Sequence, residues 1–115
     1  MAAITALLDG RRRGTHYTDR MHRILDVCHR FGLVYHDERV TYRNGVTDTK
    51  RVQDIEAVRE VTVTPTAEKY GLRVDPRILS KVQTLAPHFA YALNLDATQV
   101  SVRVEGDTVF VRVPR

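Results

Sequence analysis

The side chains that could carry chemistry in this chain are few, and their spacing does not predict a catalytic or metal site. Two of the five histidines, His22 and His29, stand seven residues apart. A spacing of four on a helix would bring two imidazoles together on one metal ion, whereas seven is too distant. Cys28 lies on an apolar stripe, which predicts a buried and unreactive thiol. We therefore expect no catalytic residue and no metal ligand.

Two further possibilities for chemistry are weak. Asp37 and Glu38 are paired carboxylates in sequence, but adjacent residues in a predicted turn point apart, so we interpret them as solvated. A nucleotide-binding loop would need Gly-x-x-x-x-Gly-Lys-Ser/Thr, and the chain contains no Gly-Lys dipeptide. We expect no cofactor and no ATP hydrolysis by this chain, which is therefore not predicted to be an enzyme.

The charge balance is only mildly basic. Eighteen Lys and Arg against fourteen Asp and Glu give a formal net charge of +4. A dedicated duplex-binding domain more often gathers its cations into a stripe. The only cluster is Arg11-Arg12-Arg13, which could equally be a solvated connector or a phosphate contact. Charge alone leaves the partner open.

The composition predicts a soluble cytoplasmic protein. A single cysteine cannot form an internal disulfide, which favours a reducing compartment. The N-terminus lacks a charged region typical of a secretory signal, and no apolar run approaches the ~18 residues of a membrane helix. We expect no membrane partner.

The elements that would position any site begin with helices. Residues 2–9 predict a short helix that Gly10 and Gly14 end, leaving the three arginines on a mobile connector. Residues 18–31 predict an amphipathic helix with Thr18 as its N-cap and Gly32 as its stop.

The middle of the chain predicts a hairpin and then a helix. Two short strands are expected on either side of an acidic turn at His36-Asp37-Glu38, with a second tight turn at Asn44-Gly45. Residues 50–60 place Val52, Ile55 and Val58 at intervals of three, which favours a short helix.

The last half alternates strands and helices. Residues 61–64 and 69–74 predict extended segments, and Asp75-Pro76 has the N-cap and first-turn residues that open a helix. Pro87 predicts the start of a second helical segment. Residues 100–113 alternate valine with polar side chains around a Gly106-Asp107 turn, which is typical of an antiparallel hairpin.

Short motifs follow one another in residues 61–115. The first motif is a proline followed by a basic residue and a tyrosine. Next come a Ser-Lys-Val-x-x-Leu run and a Phe-Ala-x-x-Leu run. The last motif is a hairpin that ends at a proline. These residues are Pro65, Lys69, Tyr70, Ser80, Lys81, Val82, Leu85, Phe89, Ala90, Leu93 and Pro114. The succession resembles the small α subdomain that precedes the RecA-like motor of FtsK/SpoIIIE-type DNA translocases. The chain departs from that pattern at Thr64, Glu68 and Gly71, where the family has Gly, Thr and Glu.

The resemblance implies a place beside an ATPase motor, which would lie in a following domain. In that family the subdomain forms a ring on the motor, and duplex DNA passes through the shared channel. Carried over to this chain, the resemblance implies DNA contacts by Lys69, Arg77 and Lys81 and a homo-oligomer in the full-length context. Binding by one copy would be weak and non-specific. The alternative is that Tyr70 is core and these cations are ordinary surface residues.

Together these patterns predict an α+β fold. It would have a small antiparallel or mixed sheet with two helices on one face, plus an N-terminal helical segment. We expect residues 1–60 to form a helical and hairpin segment and residues 61–115 the translocase-like domain. The expected function is a non-catalytic accessory domain that helps hexameric ring assembly and duplex DNA guidance. The alternative is a self-contained protein–protein interaction module with no DNA role; no small-molecule ligand is evident.

Overall fold

The computed structural model describes the backbone of residues 10–115 and the side chains of residues 16–115. The helix predicted for residues 2–9 lies outside the described residues. The elements in chain order are α1 (Gly10–Arg30), β1 (Tyr35–Thr41), β2 (Thr47–Gln53), β3 (Ile55–Ala57), β4 (Thr62–Val63), β5 (Ala67–Val74), α2 (Leu79–Gln83), α3 (Ala86–Ala92), β6 (Ser101–Glu105) and β7 (Thr108–Pro114). Two antiparallel sheets and these helices confirm the predicted α+β class.

Helix α1 is longer than the sequence pattern predicts. It begins at Gly10 and runs through the three arginines, so the mobile connector predicted there is wrong. Thr18 lies inside the helix and not at its N-cap. A glycine within a helix costs only about 1 kcal/mol, so Gly14 does not end it. The predicted stop is confirmed, because the helix ends at Arg30. Just after this end, the Leu33 amide donates to the Cys28 carbonyl at a distance of 3.0 Å.

Strands β1 and β2 form a two-stranded ribbon, which with its turn we call the arm (residues 35–53). The predicted turn at Asn44-Gly45 is confirmed, and Gly45 takes the positive φ of 82° that this turn needs. The predicted acidic turn is wrong, since Asp37 and Glu38 lie within β1.

The helix predicted for residues 50–60 is also wrong. Its first part belongs to β2 in the arm, and Ile55–Ala57 forms β3, which pairs with β5. The spacing of Val52, Ile55 and Val58 suits a helix, but the register of two different sheets decides the conformation here. Strand formation depends on such partners more than on local propensity.

The main sheet has the strand order β3-β5-β7-β6, and β4 also pairs with β5. Between β5 and β6 the chain forms a 3-10 turn at Pro76–Ile78 and then α2 and α3. Asp75 caps the turn by accepting from the Arg77 amide, and Pro87 occupies the first turn of α3, as predicted. The predicted hairpin of β6 and β7 is confirmed around Gly106-Asp107.

The helices cover one face of the main sheet. On β5, Tyr70, Leu72 and Val74 are buried, whereas Lys69 and Arg73 point to the opposite side because successive side chains alternate. The Tyr17 ring on α1 meets the Tyr70 ring edge-on, with centroids 6.5 Å apart. The core therefore contains residues from both sides of position 60, and the predicted division into 1–60 and 61–115 stays a prediction.

Across residues 10–115, no helix is both long enough and apolar enough to span a membrane.

The buried leucines of the helical layer generate a first prediction. Leu85 and Leu93 are buried against the sheet. Replacing either with Ala should lower the free energy of unfolding by about 2–5 kcal/mol, because each change removes buried apolar surface and leaves a cavity. Urea unfolding measures this loss. Tyr91→Ala is the control, since that side chain is 83% exposed. Equal midpoints for all three variants would show that the assigned core is wrong.

Candidate nucleic-acid interface

Within residues 10–115, no helix covers one face of the main sheet, and we call it the open face. Cross-strand partners share a face in an antiparallel sheet. The register therefore places three neighbouring side-chain pairs there. These pairs are Lys69 with Arg112, Arg112 with Ser101, and Phe110 with Arg103.

Phe110 lies at the centre of the open face and is half-buried. It packs against Gly71, where an added Cβ would come within 3.1 Å of the Phe110 ring and of Val58. The Lys69 ammonium lies 4.2 Å from the ring centroid, a cation–π distance. The same ammonium is 3.7 Å from a Glu105 carboxylate oxygen. The glycine thus lets the ring lie close to the sheet, beneath the lysine.

Arg103 and Arg112 share this face, as the hairpin pattern predicts, but neither pairs with Glu105. That carboxylate bonds Lys69 instead. Among residues 16–115, neither arginine has an ion-pair partner. A shallow depression of about 380 Å³ includes the side chains of all three cations in its lining. Three cations around an aromatic ring, one of them paired with Glu105, can contact phosphates, which is the chemistry this surface offers.

The three cations that the resemblance implicates do not form one cluster. Lys69 lies on the open face. Lys81 is exposed on α2, which belongs to the layer covering the other face. Arg77 lies in the loop after β5, where its guanidinium bonds Asp75 at 3.0 Å and approaches Asp54 at 3.4 Å. A single copy therefore presents these cations on different surfaces.

A second group of charged side chains joins the arm to the main sheet. His36 on β1 has its Nδ1 2.7 Å from a carboxylate oxygen of Asp54 and its Nε2 2.8 Å from one of Glu38. Asp54 is buried, and its backbone bonds both Val34 and Asp75. The imidazole thus lies between two carboxylates at the base of the arm.

The electrostatics of this group follow from its contacts. The hydrogen bond to Glu38, and then the one to Asp54, raises the pKa of His36 above its ordinary value of 6.5. The guanidinium of Arg77 opposes this. The side-chain and backbone hydrogen bonds from Arg77 lower the pKa of Asp75. Because both imidazole nitrogens lie within hydrogen-bond distance of carboxylates, the protonated form of His36 links Glu38 to Asp54.

A third group surrounds the buried carboxylate of Glu68, which is 2% exposed. It accepts hydrogen bonds from the Tyr70 hydroxyl at 2.9 Å and from Arg20 at 2.8 Å. The His16 imidazole lies 3.1 Å away. Arg20 also donates to the Pro114 carbonyl at 3.0 Å. In the described residues no buried side-chain polar atom lacks a partner, and these contacts fasten α1 to the sheet.

The remaining reactive side chains are inert. Cys28 is buried, as predicted, and burial raises the pKa of its thiol to about 12. Burial also raises the pKa of the Tyr70 hydroxyl. Within residues 16–115, no cluster of His, Cys, Asp and Glu is arranged to hold a metal ion.

Sequence reasoning missed Phe110 and the roles of Glu68 and Asp54. The alternation of Val109, Phe110 and Val111 is a visible signal that Phe110 lies opposite the core. Asp54 was hidden by the wrong helix prediction for its segment. Nothing local marks Glu68 as buried, because its partners are about fifty residues away.

Comparison of the chain with protein-family models, with curated proteins and with solved structures finds no match in any of the three.

The Glu68 group generates a second prediction. Glu68→Ala should lower the free energy of unfolding by about 3–5 kcal/mol, because it leaves Arg20 and the Tyr70 hydroxyl without their shared acceptor. Glu105→Ala is the matched control, since it removes an exposed carboxylate worth at most about 1 kcal/mol to its lysine. Chemical denaturation of both variants measures the difference. An equal loss of unfolding free energy in both variants would contradict a stabilising role for the buried Glu68 carboxylate.

The His36 group generates a third prediction. A raised pKa means that the folded protein binds this proton more tightly than the unfolded chain does. The stabilisation is therefore complete below the ordinary value of 6.5 and is lost as pH rises through the raised value. The stability difference between the parent and His36→Asn should shrink as pH rises across that window.

An NMR titration of His36 provides the direct measurement for this prediction. Glu38→Gln should lower the midpoint because it removes the largest cause of the shift. Asp37→Asn is the control, since that carboxylate lies on the other face of the ribbon. A His36 titration midpoint at or below 6.5 in the parent protein would contradict the hydrogen bonds of His36 with Glu38 and Asp54.

Proposed function

We propose that this chain is a non-catalytic accessory domain of a DNA translocase of the FtsK/SpoIIIE type. In that role it helps a hexameric ring assemble and guides duplex DNA, while a motor elsewhere hydrolyses ATP. The proposal places the chain in the cytoplasm, where such a motor works on DNA.

The observation that carries the proposal is the packing of the residues that resemble the family. Val82, Leu85, Phe89 and Leu93 belong to separate motifs in the sequence, and all four are buried in one core. Tyr70 is buried as well, which is what the alternative to a DNA role expects of that residue. The chain between residues 67 and 114 forms a strand, paired helices and a hairpin in the order that the motifs suggest. This supports a unit of the same kind, although a packed unit does not by itself specify a partner.

The open face supports the DNA part of the proposal. Lys69, Arg103 and Arg112 lie on adjacent strands, and of the three only Lys69 has an ion-pair partner within residues 16–115, the carboxylate of Glu105. Two to four phosphate contacts would give a salt slope of about −2 to −4 and affinities no tighter than about micromolar. Several copies around a ring would raise the avidity without new contacts.

The structure weakens one argument for the alternative function, a protein–protein interaction module. The amphipathic helix that favoured it uses its apolar stripe inside the molecule, where Ile24, Val27 and Cys28 are buried. Most of that stripe is therefore not free to bind a partner, and Phe31 at its C-terminal end is 50% exposed.

The proposal generates a fourth prediction about DNA binding by a single copy. Replacing Lys69 and Arg112 with Ser should reduce the slope of log affinity against log salt by about two, since each removes a phosphate contact. Arg30→Ser is the matched control because it removes one exposed cation from α1, which belongs to the helical layer on the other face of the sheet. Fluorescence anisotropy with a labelled duplex over about 50 to 200 mM salt measures the slopes. Equal slopes for the parent and the double variant would contradict contact through the open face.

The ring component needs a separate measurement. Fusing the chain through a flexible linker to a hexamer-forming coiled coil should tighten binding to a long duplex by about a hundredfold or more. A hexamer of the Lys69/Arg112 double variant is the control. A parent hexamer that binds no tighter than the single copy would contradict a role in guiding DNA through a ring.

A further inference from the structure

The arm extends from the molecule as an isolated ribbon. Its strands pair over seven residues, from Tyr35 opposite Gln53 to Thr41 opposite Thr47. At about 3.3 Å per residue the ribbon is about 23 Å long. Every side chain from residue 41 to residue 51 is exposed. The arm is fixed to the body near its base, where His36 bonds the buried Asp54.

The stability of the fold does not explain why apolar side chains are exposed at the tip of the arm. A two-stranded ribbon is marginally stable by itself, so exposed apolar residues at its end contribute little to stability. Tyr42 and Val46 are nevertheless each 54% exposed. The Tyr42 amide donates to the Val46 carbonyl at 2.9 Å, so the two residues flank the Asn44-Gly45 turn as a pair.

The charges near the tip indicate which partner fits. Residues 39–50 contain three cations, Arg39, Arg43 and Lys50, against one anion, Asp48. Among residues 16–115, none of these cations has an ion-pair partner. The Asn44 side-chain oxygen accepts from the Val46 amide at 3.1 Å, which leaves its NH₂ group to donate outward. The tip therefore combines unpaired positive charge, hydrogen-bond donors and an apolar pair.

We propose that the arm binds duplex DNA and inserts its tip into the minor groove. β-Ribbons bind DNA in either groove, and the minor groove, about 6 Å wide, is too narrow for a helix. Tyr42 and Val46 would be the apolar wedge at a base step, a device that minor-groove proteins combine with Arg and Asn side chains. Arg43 and Asn44 would donate to the acceptors on A·T pairs, while Arg39 and Lys50 lie further back along the strands, near the phosphates.

This inference concerns residues outside the segment that carries the proposed function, and it does not rest on that function. A protein partner would also use Tyr42 and Val46, but it would not be sensitive to a group in the minor groove. The guanine N2 amino group is such a group, because it is the feature that distinguishes G·C from A·T pairs there.

The first test compares variants of the whole chain on a labelled A·T-rich duplex by anisotropy. Tyr42→Ser combined with Val46→Ser should raise the Kd about tenfold, as expected for loss of a stacking contact. Arg43→Ser should reduce the salt slope by about one. Tyr91→Ser and Arg59→Ser are matched controls, since both side chains are exposed elsewhere on the molecule. Tip variants that bind like the parent would overturn the inference.

The second test identifies the groove. Replacing guanine with inosine removes the N2 amino group and leaves the major groove unchanged. The parent should bind A·T and I·C duplexes alike, and G·C duplexes several-fold more weakly. An I·C duplex that behaves like G·C would overturn the minor-groove assignment. If the tip variants bind DNA normally and the Lys69/Arg112 variant loses affinity, DNA binding by the arm is rejected and the proposed function is retained.

Discussion

The burial of Tyr70 on the central strand is the constraint on which most of the fold depends. The side chain has no solvent exposure and lies beneath α1, against Tyr17. A buried hydroxyl needs an acceptor, and Glu68, two residues earlier on the same face, provides it at 2.9 Å. The buried carboxylate in turn needs a cation, so Arg20 comes from α1 and also bonds the Pro114 carbonyl. One hydroxyl thus links the first helix, the central strand and the last strand.

The same strand separates charges that are buried in the core from charges on the open face. Its buried face holds the carboxylate of Glu68 among polar partners, where charge stabilises the fold. Its other face leaves Lys69 beside Arg112 on a surface open to a polyanion. The distal part of the arm, with Arg39, Arg43 and Lys50 against Asp48, is a second surface of net positive charge, and the hydrogen bond between His36 and Asp54 fixes the base of the arm. The proposed contacts with DNA would therefore come from two surfaces that the core holds at separate places.

Local signals in the sequence were sufficient for much of the architecture. The stripe that includes Ile24 and Cys28 predicts α1, because a helix repeats every 3.6 residues. Asn44-Gly45 and Gly106-Asp107 predict their turns, since few residue types tolerate the backbone that such turns require. Asp75-Pro76 predicts a helical start for a similar reason. All of these features depend on neighbours within a few residues, so the sequence alone could predict them.

Contacts between distant segments decided the rest. Residues 50–60 have a helical spacing, yet they form strands because two different sheets supply partners for their backbones. Lys69, Arg103 and Arg112 become neighbours only through the register of three strands. The sequence by itself therefore determined the α+β class and most turns, whereas only the tertiary structure decided which side chains share a surface, because the pairing of strands joins residues that are far apart in the chain.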